Sequence, residues 1–248
     1  MGHDSGVNHR RIVPLVLTLI VGATVACAPL SGLEDIGLGG DDSTAGARGA
    51  ATDTDRLTMR STTLKGDDFT QDVVLARTFT EKYWQQQFEA DGRTYEPIRK
   101  FIPYVGNNGP ACGDQPASPD NAFYCPVGHF IAFDKDWLKG LYDKIGDGAV
   151  YVIIPHELGH AVQAQLTTDF RFNKQRELQA DCYAGGVIGW LVQAGRLQAE
   201  QGDEEELLNN LEAAGDPTDA WWRPDAHGTG PQRQEAFRTG YEQGVGAC

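Results

Sequence analysis

Residues 150–166 limit what this chain can fold into, because they combine an apolar helical sequence with two histidines at helical spacing. His156 and His160 are four residues apart, so a helix places both imidazoles on one face, one turn apart. Glu157 lies one position further round, where its carboxylate can reach a water beside the two rings. This is the H-E-x-x-H pattern, in which two histidines hold zinc and the glutamate acts as a general base.

The alternative is a pair of hydrogen-bonded histidines in an ordinary core helix. Burying two imidazoles and a carboxylate among apolar side chains is costly without a partner, and a metal ion supplies that partner, so we favour the metal site. Pro155 directly precedes His156, and a proline inside a helix removes a backbone hydrogen bond. The sequence leaves open whether the helix begins at Pro155 or is kinked there.

A catalytic zinc site needs a third protein ligand, and the next predicted helix offers two carboxylates. Glu177 and Asp181 are again four residues apart and face the same way. We expect Glu177 to be the third ligand and Asp181 to accept the ring N–H of a ligand histidine; the exchanged roles remain an alternative. An exposed acidic face is a further interpretation, but the apolar and small neighbours at residues 182–184 argue against it.

His227 lies in a glycine-containing loop before the last predicted helix. A histidine near zinc can stabilise the oxyanion that forms during amide hydrolysis, so His227 is a second candidate catalytic residue beside Glu157. The alternative is a surface loop histidine that takes no part in chemistry.

The beginning of the chain has the features of a lipoprotein signal peptide over residues 1–26. Arg10 and Arg11 precede an uncharged run, residues 12–26, which is too short to span a bilayer comfortably. The run ends before Cys27 in a sequence that resembles a bacterial lipobox. We therefore expect lipidation at Cys27 and an exported, outward-facing protein anchored to the cell membrane; secretion without the lipid is the alternative.

Residues 27–66 are rich in Gly, Asp, Ser, Thr and Ala and predict a flexible tether, followed by one domain over residues 67–248. Short strands followed by several helices indicate an α+β fold, mostly helical with a short antiparallel sheet. Asn173 is expected to cap the helix that carries Glu177. Strands are predicted at 98–105, 122–125 and 129–133, and helices at 72–90, 134–145, 150–166, 173–195, 203–214 and 232–243.

Four further cysteines, an even set in an exported chain, predict two disulfides. Their numbers allow three pairings. The short separation of Cys112 and Cys125 favours a closed loop between them, which leaves Cys182 to pair with Cys248. A buried free thiol at Cys182 is the alternative.

The segment HELGHAVQ at residues 156–163, followed by ELQADCYAG at residues 177–185, resembles the bacterial family named putative neutral zinc metallopeptidase. Shorter matches stand at residues 111–113, 124–126 and 227–229, so the resemblance covers nearly all of the predicted domain. It implies a small zincin domain of the gluzincin type that binds one Zn²⁺ per chain and hydrolyses peptide bonds.

Under that resemblance, the protein is an exported metallopeptidase acting on peptide or protein substrates. A water activated by zinc would give its proton to Glu157, which would pass it to the leaving amine, and His227 would stabilise the oxyanion. The strand at residues 129–133 would pair with an extended substrate. The alternative is a zinc-stabilised envelope binding or assembly protein without turnover, which would not need Glu157. A formal net charge of −14 argues against nucleic-acid partners.

Overall fold

The computed structural model describes residues 68–166 and 168–248, and within them the α+β prediction is confirmed. The predicted signal peptide, Cys27 and the tether lie outside these residues. The helices and strands are, in chain order, α1 (Asp68–Ala90), β1 (Lys100–Tyr104), β2 (Ala122–Cys125), β3 (Phe130–Asp134), α2 (Lys135–Ile145), α3 (Gly148–Leu166), α4 (Asn173–Gln193), α5 (Asp203–Ala213) and α6 (Gly230–Gln243).

The sheet is mixed, which corrects the prediction of a purely antiparallel one. β2 and β3 form the expected antiparallel pair, but β1 runs parallel to β3, with Phe101 opposite Ile131. The long connection over residues 105–121 leads from the end of β1 to the start of β2 at the same end of the sheet. β2 then runs back, so β3 points in the same direction as β1. β3 is therefore the central strand and both of its edges are occupied. The predicted pairing of this strand with a substrate is wrong.

α3 is the interior helix of the domain. It is buried from Gly148 to Gln163 apart from Ile153 and packs against α1, α2, α4 and α5. The helix continues through Pro155, so the alternative that it begins there is wrong, and that turn has one fewer backbone hydrogen bond. No helix of the described residues combines the length and the apolar character needed to cross a membrane.

α4 and α6 lie unusually close because glycines face the neighbouring backbone. A side chain at Gly185 would collide with the Phe237 carbonyl oxygen, and one at Gly240 would collide with the Cys182 carbonyl oxygen. α4 is the helix that carries Glu177 and Asp181, so α6 is brought directly behind the candidate metal ligands.

Both predicted disulfides are present. Cys112 pairs with Cys125, beside β2, and Cys182 of α4 pairs with Cys248. The second bridge closes a loop of 66 residues, so it restricts the unfolded chain more than the first, which closes 13.

The prediction that Asn173 caps α4 is wrong. Asn173 is the first residue of this helix, and Phe172 occupies the N-cap position. Its side-chain amide instead donates to the Ala226 carbonyl oxygen at 3.1 Å. This contact joins the start of α4 to the loop that carries His227.

A second group of carboxylates lies where α3 and α5 begin. Oxygen atoms of Asp147, Asp203 and Glu206 lie within 4.8 Å of one another. Burial, together with the negative charges of Asp72, Glu206 and Asp203, raises the pKa of Asp147 to about 7. The Asp147 carboxyl is therefore protonated in the folded protein under mildly acidic conditions.

We expect Asp147→Asn to raise the free energy of unfolding by about 1–3 kcal/mol at pH 8 and to change it little at pH 4. The folded-state pKa of Asp147 is above the unfolded one, so its contribution to stability is present below the unfolded value and is lost as pH rises through 7. Asparagine stays neutral and avoids this loss. Urea unfolding at both pH values measures the difference, and an equal shift at both would contradict the prediction.

Candidate metal centre

The predicted zinc ligands meet on the floor of a cleft of about 480 Å³. Glu177 Oε2 lies 3.3 Å from His156 Nε2 and 3.5 Å from His160 Nε2. All three side chains are buried. α3 and α4 can approach this closely because a Cβ at Gly159 would lie only 3.3 Å from the Ala180 main chain.

These three donor atoms fit a zinc ion. Two ligands at 2.0–2.1 Å from a tetrahedral ion are about 3.3 Å apart, close to both measured separations. Two imidazole nitrogens and one carboxylate oxygen are also the donor set of many catalytic zinc sites, which keep a fourth position for water or substrate. The arrangement therefore supports a site for one zinc ion, with Glu177 as the carboxylate donor.

Asp181 lies behind His156, on the Nδ1 side of the ring, and so is not placed as a metal ligand beside Glu177. Its Oδ1 accepts the Nδ1–H of His156 at 2.8 Å, which leaves the Nε2 lone pair directed toward the cleft. Burial would raise the pKa of Asp181, but Arg233 and His156 outweigh it and hold that pKa below its usual value. For His156, burial would lower the pKa, but the Asp181 and Glu177 carboxylates outweigh burial and raise that pKa to about 10. A metal ion at Nε2 would therefore compete with a proton for this atom.

Gln163 plays the corresponding part for His160. Its Oε1 accepts from His160 Nδ1 at 2.8 Å. Its amide group donates to the Arg176 carbonyl oxygen at 2.8 Å, and because that oxygen can only accept, the contact fixes which end of the amide faces the imidazole. Both histidines thus present Nε2 to the same point.

The two oxygens of Glu177 have different partners. Oε1 accepts from the Arg176 guanidinium at 2.9 Å, while Oε2 faces the two imidazoles. Burial would raise the pKa of Glu177, but hydrogen bonds from His156 and His160 outweigh it and lower that pKa strongly. The carboxylate is therefore ionised and has one oxygen directed at the candidate metal position.

Glu157 lies in the same cleft, held by the edge of the sheet. The Tyr124 main-chain N–H donates to Glu157 Oε2 at 2.8 Å. The Glu157 side chain is buried, yet the residue lines the cleft beside His156 and His160. One carboxylate oxygen is thus fixed by the backbone, and no described hydrogen bond engages the other.

His227 is the fifth predicted residue of the cleft. It lines the wall with its side chain 48% exposed, and its Nδ1 lies 3.8 Å from Asp216 Oδ1. The main-chain N–H groups of His227 and Gly228 both donate to Asp216 Oδ2, which fixes the loop. The predicted metal ligands and both predicted catalytic residues thus line one cleft, while Asp181 lies behind His156.

The sequence analysis assigned no role to three groups that hold site residues in place: Gln163, Arg233 and the Tyr124 main-chain N–H. Gln163 follows His160 by three residues, so helical spacing could have identified it. Arg233 contacts Asp181 across 52 residues and Tyr124 acts through its backbone, so neither leaves a local pattern in the sequence.

Comparison with known proteins agrees with this geometry. The family described as putative neutral zinc metallopeptidase matches residues 14–248. The chain is 35% identical to the uncharacterized protein YpfJ of Escherichia coli over 197 residues, which cover 69% of this chain and 67% of that protein. It is 31% identical to the uncharacterized protein Rv2575 of Mycobacterium tuberculosis over 174 residues, which cover 57% of this chain and 58% of that protein. No solved structure matches. The chain belongs to the putative neutral zinc metallopeptidase family.

Proposed function

We propose that this protein is a zinc-dependent peptidase in which Glu157 is the general base. The observation that carries the proposal is the position of Glu157 in an open cleft, next to three donor atoms with zinc-like spacing. A site that only stabilises a fold is normally closed by four protein ligands and needs no carboxylate of this kind. Family membership supports a hydrolase at the coarse level.

The side chains of the cleft suggest how hydrolysis would proceed. Zinc held by His156, His160 and Glu177 would supply Lewis acidity, polarising the peptide carbonyl and acidifying water. Glu157 would take a proton from that water and return it to the leaving amine. The Tyr124 N–H would keep Glu157 Oε2 in place, which leaves Oε1 for the proton transfer.

His227 would complete the cleft as a donor to the oxyanion of the reacting amide. Its loop is fixed by Asp216 and by Asn173, while its imidazole remains exposed to the cleft.

An extended peptide would bind along the edge of β2. The Asp134 N–H donates to the Asn121 carbonyl oxygen, so Asn121 is at a position hydrogen-bonded to β3. Bonded and non-bonded positions alternate along an antiparallel pair, so the N–H and C=O groups of Ala122 and Tyr124 point away from β3. That direction faces the cleft, as the bond from Tyr124 to Glu157 requires. The outward N–H and C=O of Ala122 would pair with a substrate strand.

The cleft also has an apolar wall, which predicts the kind of side chain that binds next to the scissile bond. The partly exposed residues of this wall are Phe123, Trp137, Leu141 and Ile153. Ile153 precedes Glu157 by one helical turn, so the apolar wall begins beside the proposed base. We expect a large apolar substrate residue at this place.

We expect Leu141→Ala to lower kcat/KM for peptides with leucine or phenylalanine at this subsite by roughly tenfold, because the substrate loses apolar contact. Peptides with alanine there should be cleaved as by the wild type, which makes them the matched control. Steady-state kinetics on paired peptides measures both. An equal loss for both peptides would show that Leu141 does not contact the substrate side chain.

The proposal is tested by incubating the purified, zinc-loaded protein with a mixed peptide library and identifying new termini by mass spectrometry. Glu157→Gln is the control. Cleavage by the wild type alone would support a peptidase. Equal patterns from both proteins, with zinc bound to each, would favour the assembly protein without turnover.

We propose further that the protein is exported and anchored through Cys27. The two disulfides support an oxidising compartment. Residues 1–67 lie outside the described part, so the anchor rests on the sequence of the signal peptide and lipobox. Labelling with a fatty-acid analogue, compared between wild type and Cys27→Ser, tests it; equal labelling of both would refute it.

A further inference from the structure

We propose that residues 230–248, which we name the α6 clamp, position both ligand histidines of the metal centre from behind. Arg233 is its main positioning residue and the Cys182–Cys248 disulfide is its anchor. The inference rests on the proposed zinc site but does not depend on peptide turnover. Two chains of hydrogen bonds, one to each histidine, carry it.

The first chain runs from His156 through Asp181 to Arg233. Asp181 Oδ1 accepts from both His156 Nδ1 and Arg233 Nη2 at 2.8 Å, and Asp181 Oδ2 accepts from Arg233 Nε at 2.8 Å. A guanidinium that binds both oxygens fixes the plane of the carboxylate as well as its position. The direction of the His156 ring therefore depends on a residue of α6.

Arg233 is itself held firmly. Its side chain is buried, and its Nη1 donates to the Ala214 carbonyl oxygen at 2.9 Å, just after α5. Asp181 is fully buried, and Arg233 is the only buried arginine or lysine among the described residues, so without Arg233 the carboxylate would keep only its contact with His156. The carboxylate would then have no fixed orientation toward His156.

The second chain runs from His160 through two amides to Cys248. Gln163 accepts from His160 at 2.8 Å and donates to Gln179 Oε1 at 3.2 Å. Gln179 in turn donates to the Cys248 carbonyl oxygen at 3.2 Å. The orientation of the Gln163 amide, and with it the His160 ring, is thus supported by the far end of the clamp.

One covalent bond connects the two chains. Cys182, which directly follows Asp181, is joined to Cys248, whose carbonyl ends the second chain. The close glycine contacts between α4 and α6 leave no room for the clamp to shift without also moving the backbone of Cys182. Breaking this disulfide would therefore loosen the support of both histidines at once.

The first experiment measures zinc affinity by competition with a chromogenic chelator for the wild type and for Arg233→Gln, Arg233→Lys and Arg238→Gln. Arg238 is the matched control, because it lies on the same helix but is exposed, and its ion pair within the described part of the chain is with Glu235. We expect Arg233→Gln to bind zinc about 10- to 100-fold more weakly, Arg233→Lys to recover part of this, and Arg238→Gln to match the wild type. Circular dichroism confirms that each variant is folded.

A double-mutant cycle separates positioning from general stability. If Arg233 acts through Asp181, then Arg233→Gln combined with Asp181→Asn should bind zinc no more weakly than Asp181→Asn alone. The absorption spectrum of the Co²⁺-loaded variants should also differ from that of the wild type, because the ligand geometry has changed. Wild-type zinc affinity in folded Arg233→Gln, or fully additive losses, would overturn the proposal.

The two disulfides provide the second test. We expect Cys182→Ser with Cys248→Ser to weaken zinc binding by less than Arg233→Gln, and Cys112→Ser with Cys125→Ser to leave it unchanged. Equal losses from both pairs, or none from the first, would show that the disulfide does not anchor the clamp. Neither experiment reads peptide hydrolysis, so an inactive protein that binds zinc would refute the peptidase and leave the clamp intact.

Discussion

Replacing Glu157 with glutamine is expected to lower kcat/KM for peptide hydrolysis by about two to four orders of magnitude while zinc stays bound. Glutamine retains an oxygen that can accept the Tyr124 N–H, so the side chain keeps its place. Its amide cannot take a proton from water at neutral pH. The change therefore removes proton transfer and leaves the three donor atoms untouched.

The measurement compares initial rates on a peptide that the wild type cleaves, with zinc content and melting temperature determined on the same samples. Loss of zinc would lower the rate by itself and hide the effect of removing the general base, so Glu157→Gln and wild type must carry equal zinc. Retention of more than a tenth of the wild-type activity with zinc bound would exclude Glu157 as the general base.

The second large effect is expected at Glu177. Replacing it with alanine should weaken zinc binding by more than the roughly 10- to 100-fold that is typical of residues acting through a ligand. Asp181→Asn should fall within that range, because Asp181 contacts His156 Nδ1 and Arg233 and not the point where the two Nε2 atoms meet. The pair of variants thus distinguishes the ligand from the residue that supports one.

Zinc affinity is again measured by chelator competition, at a pH well above neutrality so that proton competition at the histidines is small. A weaker affinity for Asp181→Asn than for Glu177→Ala would reverse the assignment. The exchanged roles considered from the sequence would then be correct, in disagreement with the 3.3 and 3.5 Å contacts of Glu177.

The helical parts of the site could be predicted because their information is local. Histidines four residues apart, and carboxylates four residues apart on the next helix, share a face whatever the rest of the fold does. The same reasoning gave both disulfide pairs, since only one pairing closes the short loop at Cys112 and Cys125. These features depend on spacing along the chain.

The remaining features depend on how distant segments meet. Arg233 reaches Asp181 only because glycines let α6 approach α4, and no spacing in the sequence reports that contact. The parallel pairing of β1 with β3 depends on the path of a long loop, which periodicity does not reveal. The role of the Tyr124 backbone is invisible for another reason, since any residue except proline would supply the same N–H.

The absence of a side chain at Gly159 has a consequence for the descent of this family. A bulkier residue there would press on the main chain of Ala180 and widen the gap between α3 and α4. A lineage could therefore lose its zinc while every ligand and the proposed base remain encoded. When genomes are screened for members that keep the metal site, the identities at positions 159 and 180 should be read together with the ligand motif, because they affect how closely the two ligand-bearing helices can approach.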